Sequence, residues 1–190
     1  MNLSQNFVKT WSMNIECLTK SIEQIDLNIP KEWKIFLVSD GSLTRNINAN
    51  QGQTIKLNNI KHNHKLSPLD ELFWGKIKDK KDAEHNLLKR EVWLVNEDHE
   101  AMAFAESYRT RSDLQTISLY YNQPIGKSII EAEIDIHRQL QTIYYGYSTE
   151  IEKIFNNYGP IWGRSYFIYC DSKPAVLIHE FFSPALTRLK

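Results

Sequence analysis

The sequence contains only two cysteines, Cys17 and Cys170, and they lie far apart. They form no CxxC pair, so the chain lacks the spacing of a zinc site or a dithiol redox centre. Such low cysteine usage is typical of proteins in a reducing compartment, which need no disulfide framework. We expect both thiols to be core residues.

Long apolar runs and an excess of one charge are also missing. No stretch approaches the roughly 18 apolar residues that a membrane-spanning helix needs, and the first residues lack the basic and apolar segments of a signal peptide. The 23 basic and 23 acidic residues balance, which disfavours a general attraction to nucleic acid or an anionic membrane. We therefore expect neither as a partner, and a charged ligand would have to be held by local groups.

Motifs of several enzyme classes are absent as well. The chain has no Ser-His-Asp order, no glycine-rich phosphate loop and no nucleophilic cysteine motif. The segment 62–64 contains two histidines, but it lies between lysines without a clear third ligand, which favours a solvated loop over a metal site. His179 has the parity of Leu177 and Phe181, which favours a core histidine. We predict neither a metal nor a cofactor.

The length and the apolar content suit one domain. A chain of 190 residues that is 42% hydrophobic can bury a core without disulfides. Residues 1–190 are predicted to form a single domain, in which residues 1–30 are an N-terminal helix and extension. The apolar stripe that predicts this helix has spacings of three and four residues and consists of Trp11, Ile15, Leu18, Ile22 and Ile25.

Strand patterns joined by short turns dominate the rest of the chain. The predicted strands cover residues 53–60, 90–95, 101–108, 131–145, 161–170 and 174–182. A short helix is predicted near 149–156, and the segment from Asp40 to Arg45 is either a turn or a helix start capped by Asp40 or Ser42. Few crossover helices separate the strands. This pattern favours an α+β fold with a single antiparallel sheet and helices packed on one face.

Three charged residues have the parity of apolar neighbours within their strands. Arg90 aligns with Val92 and Leu94, Arg138 with Ile136 and Leu140, and Glu180 with Ile178 and Phe182. One explanation is an internal Arg90–Glu180 ion pair, with Arg138 reaching the rim. The other is a cavity lined by two guanidinium groups and one carboxylate, in which an anionic ligand meets the excess positive charge.

Five sequence blocks, taken in order, resemble the chorismate pyruvate-lyase family, and in particular its plastid and cyanobacterial branch. They are Asp40-Gly41-Ser42-Leu43-Thr44, Arg90-Glu91-Val92, Pro124-Ile125-Gly126, Trp162-Gly163-Arg164, and Lys173-Pro174 through Glu180-Phe181. The resemblance implies an antiparallel sheet with the ligand enclosed beneath flaps. It also implies a cofactor-free elimination of pyruvate from chorismate, which gives 4-hydroxybenzoate.

The resemblance further implies roles for individual residues. Arg90 matches the residue that binds the ring carboxylate, and Glu180 matches the one that faces the ring hydroxyl. Leu43, and Ile125 with its neighbour Gly126, match positions that line the site. The enolpyruvyl carboxylate is assigned to Arg138 or Arg164, and Arg138 lies in a segment that the shorter bacterial enzymes lack.

Two further expectations follow. Ligand-sensing domains of certain transcription regulators share this fold, so a non-catalytic domain that binds an aromatic carboxylate is the alternative function. Isoleucine, asparagine and lysine make up 52 of the 190 residues, a bias typical of AT-rich genomes such as those of many organelles. We expect the plastid stroma if an organelle encodes the chain, and the cytoplasm otherwise.

Overall fold

A computed structural model describes residues 6–15, 29–63, 87–110, 136–170 and 172–188. The strands are β1 (Val8–Asn14), β2 (Lys56–Asn63), β3 (Leu87–Val95), β4 (Ala101–Thr110), β5 (Ile136–Tyr147), β6 (Ile161–Cys170) and β7 (Lys173–Phe182). The helices are α1 (Lys34–Leu37), α2 (Leu43–Gln51) and α3 (Thr149–Ile154), with 3-10 turns at Lys31–Trp33 and Pro184–Thr187.

These seven strands form one sheet in the order β1-β5-β6-β7-β4-β3-β2, and every neighbouring pair is antiparallel. The predicted hairpins are present as β3–β4 and β6–β7, and each is closed by a short turn. The prediction of an α+β fold with a single antiparallel sheet is confirmed. Because the two hairpins lie side by side, residues of β3, β4, β7 and β6 meet in register across the centre of the sheet.

The N-terminal helix prediction is wrong at its beginning, because residues 8–14 form the edge strand β1. Trp11, Met13 and Ile15 all pack against the main core, which is the two-residue alternation of a strand. The four-residue spacing from Trp11 to Ile15 fits a helix as well, and Met13 between them decides for the strand. The remainder of that predicted helix, residues 16–25, lies outside the described residues.

The main core lies between one face of the sheet and the first helices. Buried residues of α1 and α2, including Phe36, Leu37 and Ile47, pack against Leu94 and Phe182 of the sheet. We call the face of the sheet that carries Leu94 and Phe182 the front face. Helix α3 packs on the opposite face, where Ile151 contacts a cluster that includes Trp93, Phe104 and Phe181. The prediction that helices pack on one face holds for α1 and α2 and does not extend to α3.

The opposite face also buries charge. Lys89 Nζ lies 2.7 Å from Glu91 Oε1 and 2.8 Å from Glu106 Oε1, and all three side chains are almost fully buried. Glu91 and Glu106 are direct partners across β3 and β4, so the ammonium group separates two like charges. The sequence alone had not singled out Lys89, Glu91 or Glu106 as buried charges.

His179 and Cys170, which the sequence analysis considered as core residues, lie away from the front face or inside the core. His179 is half-buried on the opposite face, with its ring 6.1 Å from that of Tyr108. Cys170 is buried, as expected of a core thiol, whereas Cys17 lies outside the described residues. No helix in the described part of the chain is long and apolar enough to cross a membrane.

Candidate functional site

A cavity opens on the front face, between the start of α2 and the centre of the sheet. Its apolar walls come from Leu43, Leu57, Val92, Leu94, Ala105 and Ile178. Its polar lining comes from Ser42, Thr44, Arg90, Ser107, Arg138, Tyr166 and Glu180. A mostly apolar cavity with a few converging polar groups is typical of small-molecule sites.

The sheet register explains how residues distant in sequence meet here. Ala105 of β4 faces Glu180 of β7, Glu180 faces Arg164 of β6, and the next pairs along are Ser107 with Ile178 and Arg90 with Ser107. The parity analysis thus correctly predicted that Arg90, Arg138 and Glu180 lie on one side of the sheet and border one cavity. Leu43 also lines it, whereas Ile125 and Gly126 lie outside the described residues.

Glu180 is held by two donors from β6. Its Oε2 accepts a hydrogen bond from Arg164 Nε at 2.7 Å, and its Oε1 accepts one from the Tyr166 hydroxyl at 2.9 Å. Glu180 is 4% exposed and Arg164 is 3% exposed, so this ion pair is buried. The predicted alternative that pairs Glu180 with Arg90 is not observed.

The electrostatics of Arg164 and Tyr166 follow from this arrangement. Burial is the largest single influence on the pKa of Arg164 and lowers it, but the charge and hydrogen bond of Glu180, together with Tyr166 and Asp40, outweigh burial, and the net pKa is raised. Burial and then Glu180 raise the pKa of the Tyr166 phenol, so this hydroxyl stays protonated and continues to donate. Arg164 is therefore engaged with Glu180, and it is not among the described residues that line the cavity.

Arg138 is half-buried at the edge of the cavity. Its Nη1 donates to the carbonyl oxygen of Asp40, and its guanidinium lies 6.0 Å from the centre of the Tyr166 ring. The buried Nε has no hydrogen-bond partner within the described residues. Since buried polar atoms are nearly always satisfied, this donor is a natural contact for a bound ligand.

Arg90 lies deeper, with 7% of its surface exposed. Burial, and then repulsion from Arg109, lower the pKa of Arg90 to about 10. The guanidinium is still positive at neutral pH, but its charge is poorly solvated. A carboxylate bound beside it would offset that cost.

The start of α2 adds backbone donors. Ser42 is the N-cap residue, and the helix begins at Leu43, which agrees with the helix-start alternative of the sequence analysis. The Ser42 side chain makes no capping hydrogen bond and lines the cavity instead. The first N–H groups of a helix have no partner within the helix and carry partial positive charge, so this end of α2 also favours an anion.

Sequence reasoning missed part of this site. In β6, Trp162, Arg164, Tyr166 and Ile168 share one face, so the same parity test would have marked Arg164 as a fourth misplaced charge and Tyr166 as its neighbour. The carbonyl groups of Ser39 and Asp40, which accept from the two arginines, carry no sequence signal. No three His, Cys, Asp or Glu side chains of the described residues are grouped as metal ligands.

The family model described as "Chorismate pyruvate-lyase Rv2949c-like" matches residues 37–190. This chain belongs to that family. Among its relatives, "Uncharacterized protein ycf21" of Porphyra purpurea is 32% identical, with 95% of this chain and 96% of the relative covered. The ycf21 protein of Pyropia yezoensis is 34% identical over 84% of each chain. The match to the Rv2949c-like family confirms the resemblance inferred from the five blocks.

Solved structures support the fold independently. PhnF from Mycobacterium smegmatis superposes with a TM-score of 0.57 at 13% identity, covering 80% of this chain and 68% of PhnF. The possible transcriptional regulator YydK from Bacillus subtilis gives 0.53 at 12% identity, covering 72% and 60%. At these identities the likeness establishes the shared fold alone.

Proposed function

We propose that this Rv2949c-like protein binds chorismate in the front-face cavity and eliminates pyruvate from it, giving 4-hydroxybenzoate. One observation carries the proposal: Arg90, Arg138 and Glu180 border a single cavity whose other walls are largely apolar. Chorismate is an apolar ring with two carboxylates and one hydroxyl. Two guanidinium groups and one carboxylate acceptor match those three substituents.

The depth of each group suggests an orientation. We assign the ring carboxylate to Arg90, whose planar guanidinium can donate two parallel hydrogen bonds. Glu180 accepts from the ring hydroxyl, and the backbone N–H groups near Leu43 add donors. The enolpyruvyl carboxylate is assigned to Arg138, which lies at the half-buried edge and has an unsatisfied Nε. Arg164 is the less suitable choice, since Glu180 and the Ser39 carbonyl already engage it.

The proposed reaction needs no external oxidant or reductant. The ether bond between the ring and the enolpyruvyl group breaks, and the ring carbon that bears the hydroxyl loses its proton. The ring becomes aromatic, and the departing enolpyruvate takes up a proton and becomes pyruvate. Glu180 is the carboxylate among the described lining residues, so it is our candidate acceptor for the ring proton.

The protein's contribution would then be mainly positional and electrostatic. Holding both carboxylates on fixed arginines aligns the ether bond with its neighbouring proton, and the positive charge of Arg138 stabilises the departing enolpyruvate. The apolar walls exclude water and strengthen these interactions. Ile125 and Gly126 remain proposed contacts on the strength of their matching block.

The test is direct. Purified protein is incubated with chorismate, 4-hydroxybenzoate is followed by chromatography with absorbance detection, and pyruvate is followed by a coupled dehydrogenase. The proposal requires both products in equal amounts, above the spontaneous decay of chorismate. Absence of 4-hydroxybenzoate, with folded protein, would exclude the lyase function.

A non-catalytic binding function is the second candidate. It is supported by the likeness to the effector domain of PhnF from Mycobacterium smegmatis, of which 92% is covered at a TM-score of 0.57 and 13% identity. A domain of this kind would bind 4-hydroxybenzoate or a similar acid in the same cavity. Binding by calorimetry without turnover of chorismate would favour it.

We also infer a plastid location. The ycf21 relatives come from the algae Porphyra purpurea and Antithamnion, and the residue bias suits an AT-rich organelle genome. Detection of the protein in isolated plastids by a specific antibody would test this. Recovery in the cytosolic fraction alone would contradict it.

A further inference from the structure

We propose that Arg164 is a positioning residue, which holds the carboxylate of Glu180 towards the cavity and couples it to the segment before α2. This inference rests on the proposed function, because it assumes that Glu180 meets a ligand. Arg164 is absent from the described cavity wall, so its effect on a ligand must pass through other groups.

One side of the Arg164 guanidinium fixes the carboxylate of Glu180. Arg164 Nε donates to Oε2 of Glu180, while the Tyr166 hydroxyl donates to Oε1, so one donor holds each oxygen. An ionised carboxylate accepts about four hydrogen bonds and donates none. The accepting positions that remain can therefore be filled only by a group that donates hydrogen.

The other side of the same guanidinium fixes the segment before α2. Arg164 Nη1 donates to the Ser39 carbonyl at 2.8 Å. The Ser39 hydroxyl accepts from the Gly41 backbone N–H and from Asn46 Nδ2 of α2, each at 3.0 Å. One guanidinium thus links β7 to the residues that lead into the helix. A movement of Arg164 would shift both the carboxylate and the helix start.

Aromatic rings restrict the guanidinium further. Its central carbon lies 5.2 Å from the centre of the Tyr166 ring and 5.9 Å from that of Phe182. Among the described residues, the charged or titratable groups near Glu180 or its two partners include Arg164 and Tyr166 of β6, Arg138 and Tyr144 of β5, Arg90 of β3 and Asp40 before α2. Within this set, Arg164 and Tyr166 donate hydrogen bonds to the carboxylate.

Because both oxygens of Glu180 act as acceptors, the ring substituent that faces Glu180, across the ring from the carboxylate bound by Arg90, must donate hydrogen. A hydroxyl can donate to Glu180, whereas a hydrogen or a methoxy group cannot. A hydrogen bond to a charged group contributes enough to change affinity by about 10- to 100-fold. We therefore expect the parent protein to bind 4-hydroxybenzoate at least about 10-fold more tightly than benzoate or 4-methoxybenzoate.

The test compares this affinity ratio in R164K, R164M and Y166F, with R188M as the control, because Arg188 is exposed and contacts Asn157 instead. Calorimetry with 4-hydroxybenzoate and benzoate gives the ratio for each protein. We expect R164M to lower the ratio to about 2 or less, while benzoate, which depends on Arg90, keeps its affinity within about threefold. R164K and Y166F should lower the ratio less, and R188M should leave it unchanged.

The affinity ratio separates positioning from a merely structural role, because it compares two ligands on the same protein. A variant that is only less well folded would lose affinity for both ligands in parallel, with no change in the ratio.

The outcomes remain distinguishable from those of the proposed function. A ratio within twofold of the parent in R164M and R164K, with pyruvate release intact, would overturn this inference and leave the lyase proposal standing. A lowered ratio in these variants, with no turnover of chorismate by the parent, would support the positioning role of Arg164 and contradict the lyase proposal. If R164M does not fold, R164K and Y166F decide, and an unchanged ratio in both would overturn the inference.

Discussion

The two faces of the sheet bury charge in different ways. On the opposite face, Lys89 lies between Glu91 and Glu106, and the Tyr108 hydroxyl donates to Glu106 at 3.1 Å. On the front face, Glu180 is paired with Arg164, while Arg90 and Arg138 line a cavity. A buried charge generally needs a partner or a ligand.

The difference lies in the cavity. The charges of the opposite face contact one another, which is what a structural ion cluster requires. On the front face, cations of two different strands face the same space, so their arrangement also suits a ligand. A buried charge indicates a binding site when it borders such a space, and parity alone cannot tell these cases apart. Substitutions on the two faces should therefore have opposite effects on stability and function.

The largest effect on function is expected from Arg90→Ala. Removing this guanidinium takes away the proposed partner of the ring carboxylate, and truncating one member of a buried charge pair costs about 2 to 5 kcal/mol of binding, or at least about 30-fold in affinity. We expect chorismate turnover and 4-hydroxybenzoate binding to be lost, with a small change in the urea midpoint of unfolding. Parent-like turnover in a destabilised R90A protein would show that the assignment of Arg90 is wrong.

The largest effect on stability is expected from Lys89→Met on the opposite face. This change leaves Glu91 and Glu106 as buried like charges, and the loss of a buried partner typically costs about 3 to 5 kcal/mol. Urea denaturation should show a much lower midpoint, while the affinity of the folded fraction for 4-hydroxybenzoate stays near that of the parent. A variant with unchanged stability and lost binding would reverse the comparison between the faces.

The strands in the second half of the chain could be predicted from the sequence, because short turns and two-residue alternation leave few alternatives there. Sequence reasoning failed at β1, where Trp11 and Ile15 suit a helix and a strand equally. It also identified Arg90 and Glu180 correctly as charges that share one face with apolar residues. It could not assign Arg164 to Glu180, because the choice between two arginines depends on the strand order, which pairs β7 with β6 as well as with β4.

Gly163 shows how a sequence block can have a structural cause. A Cβ atom at this position would lie 2.2 Å from Tyr144 Cε2 and 2.8 Å from the Glu180 carbonyl oxygen. The missing side chain lets the Tyr144 ring lie against β6, where its hydroxyl donates to the Arg164 carbonyl at 3.1 Å. The Trp162-Gly163-Arg164 block therefore combines a packing requirement with the residue that holds Glu180.

A moderate effect is expected from the ligand itself. A compound that binds only the folded state stabilises it by about 2.7 kcal/mol at a hundredfold excess over its dissociation constant. We expect 4-hydroxybenzoate to raise the melting temperature of the parent and of K89M, and to leave R90A unchanged. A parent melting curve that does not respond to millimolar 4-hydroxybenzoate would count against both the lyase and the binding function.

The smallest effect concerns His179 on the opposite face. Burial, followed by repulsion from Lys9 and Lys89, lowers the pKa of His179 from 6.5 to about 3. The unfolded chain binds a proton at this residue below about pH 6.5, whereas the folded protein does not until about pH 3. The stability due to neutral His179 is therefore fully present above pH 6.5 and decreases as the pH falls, by at most about 1.4 kcal/mol for each pH unit.

His179→Gln should remove this dependence, because glutamine does not titrate. Between pH 6.5 and 5 the parent should lose up to about 2 kcal/mol more than the variant in urea denaturation. The groups near His179 include Glu106, its partner across β4 and β7, and a nearby carboxylate that favours the protonated ring would reduce the difference. H137Q is the matched control, since His137 is exposed on β5, and it should follow the parent. If H179Q and the parent lose stability in parallel, His179 accepts a proton in the folded protein. The charges of the opposite face would then be less isolated from water than those of the cavity.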